Sequence, residues 1–129
     1  MIQESKIREF TDLLAWQEAH TLVLLVYSAT KIFPKDELFG LTNQMRRASV
    51  SITSNIAEGF GRQSYKEKVQ FFYIAHGSLT ELKNQLFIAR DLTYISLAEF
   101  AKIEGQLARA HRLLQGLLKK SKSFLNPVS

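Results

Sequence analysis

A chain of 129 residues with 46% apolar and 22% charged side chains has the size and composition of one soluble globular domain. The absence of cysteine excludes disulfides, a thiolate nucleophile and cysteine-held zinc or iron–sulfur centres. The longest apolar run, Leu22 to Val26, is far short of the ~20 residues of a membrane span, so no membrane partner is expected.

The net charge of +5 is unevenly placed. Basic and acidic residues balance up to position 108, whereas Arg109, Arg112, Lys119, Lys120 and Lys122 have no acid among them. Such an end attracts phosphate backbones, and it equally complements the dipole of a helix C-terminus. The N-terminal run MIQESKIREF carries both signs of charge and no apolar segment of a secretory signal, which predicts a cytoplasmic protein.

Apolar residues recur three and four apart for most of the chain and strand-like alternation is never sustained, which predicts four helices. The first spans about 13–33, with Thr11 or Asp12 as cap, Trp16, Val23 and Tyr27 on one side, and Pro34 as the stop. After FPKDELFG the second, about 40–59, carries the stripe Leu41, Met45, Ile52 and Ile56 and ends on Gly59 as a left-handed terminal glycine. Ser64 to Glu67 forms a capping box for the third, about 64–93, with Tyr65, Val69, Phe72, His76, Leu79, Leu82 and Leu86 along one face. Ser96 to Glu99 opens the fourth, about 97–124, with a near-heptad seam of Leu97, Phe100, Ile103, Leu107, Leu114, Leu117 and Phe124. The tail Asn126 to Ser129 is expected to fray. Short connections make successive helices antiparallel, so the fold class is all-α, an up-down-up-down four-helix bundle in one domain.

The second helix is rich in small and hydroxylated residues: MRRASVSITSNIAEGFGR, Met45 to Arg62. Ala48, Ser49, Thr53 and Ala57 allow a close helix crossing. Folding the second and third helices into a hairpin about Gly61 sets Ala48 and Ser49 opposite Ile74 to Gly77, and a close contact there would account for a glycine inside a helix. The alternative is a polar surface of Arg46, Arg47, Ser51, Ser54, Asn55 and Glu58 that meets another subunit or a ligand.

Three segments, WQEAH (16–20), FPKDELFGLTNQMRRASVSITSNIAEGFGR (33–62) and IAHGSLTELKNQLFIARDL (74–92), resemble the 23S rRNA intervening-sequence proteins. The resemblance spans about residues 10–118, and NIAEGFGR followed by GSLTEL makes it specific. It implies an antiparallel four-helix bundle assembled as a ring, typically a homopentamer, without a catalytic centre or cofactor. A similar accessory protein of diversity-generating retroelements is a basic ring that binds nucleic acid and a reverse transcriptase, so the resemblance also implies RNA or DNA, and possible protein, as partners. Two positions depart from the family pattern. Thr53 replaces a usual proline, which implies a weaker kink, and Thr93 replaces a frequent glycine, which implies a turn that closes differently.

Other chemistry finds little support. No Glu-x-x-His pair of a di-iron bundle occurs, and His20, His76 and His111 lie on separate helices, so no metal site is expected. Gly59-Phe-Gly61 follows no strand, and neither a phosphate-binding loop nor a nucleophile elbow is present. The start of the third helix, near Arg62, Lys66 and Lys68, is a place where an anion could bind. The reading is therefore a non-catalytic bundle binding RNA or DNA through Arg46, Arg47, Arg62, Lys66, Lys119 and Lys120. Ser51, Ser54, Asn55 and Glu58 are the candidate subunit or partner contacts, and an assembly scaffold is the alternative.

Overall fold

The computed structural model describes residues 6–125, so the expectation for the tail from Asn126 lies outside the described residues. Four α-helices make the fold: α1 (Leu14–Thr30), α2 (Leu41–Phe60), α3 (Tyr65–Asp91) and α4 (Leu97–Ser123). Each packs on its two neighbours in the cyclic order α1, α2, α3, α4, with the most extensive contact between α2 and α3. Among the described residues there is no strand.

Both predicted capping boxes deliver their hydroxyl half. Ser64 Oγ accepts the Glu67 amide at 3.2 Å and Ser96 Oγ accepts the Glu99 amide at 3.0 Å. The start of α1 differs from expectation, because its N-cap is Leu13 and not Thr11 or Asp12. The Asp12 carboxylate instead accepts the amides of Arg8 and Glu9, which closes a short 3-10 turn over Phe10–Asp12 and holds that carboxyl below its usual range. α1 also stops at Thr30, three residues before Phe33, since a residue preceding proline is pushed away from helical angles; Phe33 turns into the core.

The core face is displaced from the predicted stripe on α1, and on α4 it follows the predicted seam except at the two ends. On α1 the buried residues are Ala15, Ala19, Leu22, Val26 and Ala29, while Trp16 and Val23 are half-buried and Tyr27 is exposed. The large rings lie along the seams of the bundle: Trp16 stacks on His20 at 4.7 Å, and Tyr27 lies under the Arg46 guanidinium. On α4 the seam is Phe100, Ile103, Leu107, Ala110, Leu114 and Leu118. Leu97 and Phe124, predicted as part of it, are exposed because they lie in the end turns, beyond the packed length of the bundle.

The hydroxyl-rich α2 is explained by local bonding. Ser49 Oγ donates to the Arg46 carbonyl and Thr53 Oγ1 to the Val50 carbonyl, both at 2.9 Å, so these buried hydroxyls are satisfied within their own helix. Thr53 leaves α2 uninterrupted from Leu41 to Phe60. Small residues do meet across the α2–α3 contact, where Ser51 and Ser78 share a 2.8 Å hydrogen bond, but the register is shifted by about two turns from a hairpin centred on Gly61. The first turn of α3 overhangs the end of α2, and the Lys68 ammonium reaches back to the Phe60 carbonyl at 2.7 Å.

The glycine roles are exchanged relative to expectation. Gly59 is not left-handed, since no glycine among the described residues has a positive φ; α2 runs through it to Phe60. It is the site of close approach: a Cβ there would lie 2.6 Å from Cε1 of the buried Phe72 ring. Gly77 is exposed, with nothing within 4 Å of such a Cβ, so packing does not require it.

At the opposite end, Glu37 ties the two connections together. Its carboxylate accepts the Leu41 amide at the start of α2 and the Tyr94 hydroxyl at 2.8 Å from the α3–α4 turn, and a Cβ on Gly40 would come within 2.8 Å of it. Phe33 packs on the Tyr94 ring at 5.3 Å. The α3–α4 turn closes with Thr93 at φ 60°, the Thr93 amide bonding to the Arg90 carbonyl and the Tyr94 amide to the Ala89 carbonyl. This is the terminal motif that glycine ordinarily supplies, made here by a β-branched residue at a cost of about 1–2 kcal/mol.

Gly59→Ala destabilises the bundle by about 1–3 kcal/mol through overpacking against Phe72, whereas Gly77→Ala stabilises it by up to about 1 kcal/mol; urea unfolding of the two variants checks the pair. The Leu41 amide, and then the Tyr94 hydroxyl, hold the Glu37 carboxyl below its ordinary value of 4.5. Its contribution to stability is therefore present above that value and lost as the pH falls through the depressed folded value. Glu37→Gln lowers the urea midpoint at neutral pH, and the gap from wild type closes on acidification; a gap that does not change with pH would contradict this role.

Candidate nucleic-acid interface

The six basic residues expected to contact nucleic acid fall into two groups. Arg62, Lys66, Lys119 and Lys120 lie toward one end of the bundle, where α2 finishes, α3 begins and α4 finishes. The stacking of Tyr65 on Phe124 at 4.5 Å joins the last two of these elements directly. Arg46 and Arg47 lie apart, Arg47 being about 22 Å along the helix axis from Arg62.

The side chains also differ in what already holds them. Arg62 pairs with Glu58 at 3.5 Å and Glu67 at 3.8 Å and lies over the Phe71 ring, so much of its charge is answered within the chain. Arg46 donates through Nε to Thr30 Oγ1 at 2.8 Å and covers Tyr27, which makes it part of the α1–α2 contact. Arg47, Lys66, Lys119 and Lys120 make no ion pair among the described residues. Lys122, in the last turn of α4, donates to the Tyr73 hydroxyl at 2.8 Å and joins the same end.

Anion capture at the start of α3 is weakened by local bonding. Ser64 holds the Glu67 amide, Glu67 stands beside Arg62, and Lys68 is spent on the carbonyls of Gly59 and Phe60. Partial burial of Lys68 lowers its pKa from the ordinary value, which fits its use as a cap for α2.

The polar face of α2 is likewise divided. Ser51 bonds to Ser78 across the α2–α3 contact, and Asn55 donates to the Ser51 carbonyl at 2.8 Å and hydroxyl at 3.1 Å within its own helix. Ser54 and Glu58 are exposed. Arg47 lines a shallow groove with Gln44, Ser51 and Glu81.

Two features were not legible in the chain. Gln106, buried on α4, donates to the carbonyl and carboxylate of Glu18 on α1, both at 2.8 Å, and accepts from Arg109 at 2.9 Å. His76 and His111, read as isolated, meet across α3 and α4 with Nε2 atoms 3.1 Å apart. Antiparallel pairing of the two long helices was predicted; the offset that brings these positions level was not.

The fold and its charged end define a basic, antiparallel four-helix bundle. Residues 11–116 match the family described as 23S rRNA-intervening sequence protein, and with most of its length inside that match the chain belongs to this family. Among solved structures it is similar to the crystal structure of a protein of unknown function from the S23 ribosomal protein family of Bacteroides thetaiotaomicron. The TM-score is 0.75 at 20% identity, over 82% of this chain and 96% of that one, a likeness of fold. No curated protein matches the chain. Among the described residues no helix is long and apolar enough to cross a membrane.

Proposed function

We propose that this protein is a non-catalytic bundle that assembles with copies of itself and binds nucleic acid, RNA or DNA, through its basic end. The observation that carries the reading is that Lys66, Lys119, Lys120 and Lys122 share one end of the bundle, where Glu58 and Glu67 are engaged by Arg62 and Asp12, which lines a groove with Lys120, accepts the Arg8 and Glu9 amides. Lysine ammonium groups there add point charges for phosphates, and displaced counterions supply most of the binding free energy. Arg46 and Arg47 lie outside this end and are secondary.

Self-association is supported by the other end of the molecule, which exposes Ile32 (78%), Phe39 (90%) and Leu97 (75%) beside Leu38 and Leu92. Side chains of that size are seldom left together in water on a monomer. The five-fold ring is the assembly that the resemblance implies.

Two measurements test the proposal. Light scattering after size exclusion gives a mass near five times 14.8 kDa; a monomer overturns the ring. In fluorescence anisotropy with structured RNA, single-stranded RNA and duplex DNA, affinity falls steeply with salt, with a log–log slope of about −3 to −4 for roughly four phosphate contacts. Replacing Lys119 and Lys120 with alanine lowers that slope by about 2, while Lys68→Met, whose ammonium already caps α2, leaves it unchanged. Weak binding with no dependence on these lysines favours the assembly-scaffold alternative, for which the exposed Ser54 and Glu58 face of α2 is the surface to map.

A further inference from the structure

The polar cluster that the basic end leaves unused is the histidine pair in the groove between α3 and α4. His76 Nε2 and His111 Nε2 stand 3.1 Å apart, with ring centroids 5.0 Å apart and the rings tilted at 45°. Two imidazoles at this distance share a single hydrogen bond, so one ring donates and the other offers its lone pair. The rings form part of the wall of a cavity of about 680 Å³, lined also by Leu79, Thr80, Lys83, Glu104 and Gln115.

We propose that His76 and His111 form a two-imidazole clamp for a late first-row transition-metal dication, with water completing its coordination from the groove. The geometry suits the role. Metal–imidazole bonds of about 2.0–2.1 Å place two ligand nitrogens of one ion about 3.0–3.4 Å apart, so the ion replaces the shared proton with little movement of either helix. Imidazole nitrogen suits zinc, nickel and copper, and copper binds such a pair most tightly.

The charged and titratable groups around the pair are Lys83 and Tyr73 from α3 and Glu104, Lys119 and Lys122 from α4. Among the described residues no third histidine or carboxylate completes a cluster with the two rings, so the site is an open one whose affinity rests on two nitrogens. Since it bridges α3 and α4, metal binding raises the stability of the folded chain by mass action.

The test is a titration of the full-length protein with Cu(II), Ni(II) and Zn(II) chlorides, followed by calorimetry and thermal unfolding at pH 7.5. Copper electron paramagnetic resonance supplies the ligand count. One ion per chain binds in the order copper above nickel and zinc, the copper spectrum shows two nitrogen ligands, and the melting temperature rises. Each effect is lost in His76→Gln and in His111→Gln and persists in His20→Gln, whose imidazole is stacked on Trp16 away from the groove. Circular dichroism establishes that each variant is folded, and glutamine retains a hydrogen-bonding side chain in the groove. Binding that persists in either groove variant, binding that vanishes with His20, or no binding at all overturns the clamp.

Discussion

The close approach of α2 to α3, made possible by Gly59 beneath the Phe72 ring, is the constraint on which the rest of the arrangement rests. It holds two helices together along a stripe of short side chains whose hydroxyls are satisfied by their own backbone, so polar atoms are buried there at little cost. It also sets the offset between the helices. Because α3 begins beyond the end of α2, Tyr65 reaches Phe124 and Lys68 reaches the last carbonyls of α2, with Lys66 in the same first turn of α3. The basic end is thus a product of helix register, assembled from segments that are far apart in the chain.

Helix number, antiparallel order and the two serine caps were legible because each rests on local periodicity or on a side chain bonding three residues ahead. The core faces of α2 and α3 followed from the same signal, except that Tyr65, in the overhanging first turn of α3, is exposed and His76 is half-buried. Facts that depend on the offset between helices were not legible. Gly59 reads in the chain as a terminal glycine and Gly77 as one demanded by packing, and only the position of the neighbouring helix makes the first necessary and the second dispensable. The aromatic residues of α1 misled for a related reason: a bundle this narrow fills its centre with Ala15, Ala19 and Ala29 and puts Trp16 and Tyr27 at the seams. The arrival of Lys66, Lys119 and Lys120 at one end of the bundle and the meeting of His76 with His111 belong to the same class, since no pattern within one helix encodes a distance to another.

The polar contacts between helices are few and placed apart, and they fix which helix lies beside which. Glu18, Gln106 and Arg109 join α1 to α4 near mid-length, Arg46 and Thr30 join α1 to α2, and Ser51 and Ser78 join α2 to α3. Apolar seams tolerate sliding, whereas a buried amide such as Gln106 loses its partners if α4 moves by one turn. These bonds therefore select a single register from several of similar apolar burial. Glu37 and Tyr94 do the same for the two connections at the apolar end.

The two ends of the bundle carry opposite chemistry, lysines at one and exposed Ile32, Phe39 and Leu97 at the other. A molecule built this way has a permanent electric moment along its long axis. In the field of a polyanion it experiences a torque before any contact forms, so it arrives turned with the end of α4 foremost and the apolar end trailing. Dissolved ions shorten the range of that torque to about 8 Å at physiological strength. Orientation during approach is thus a property of the helix register, written into the fold before any partner is met.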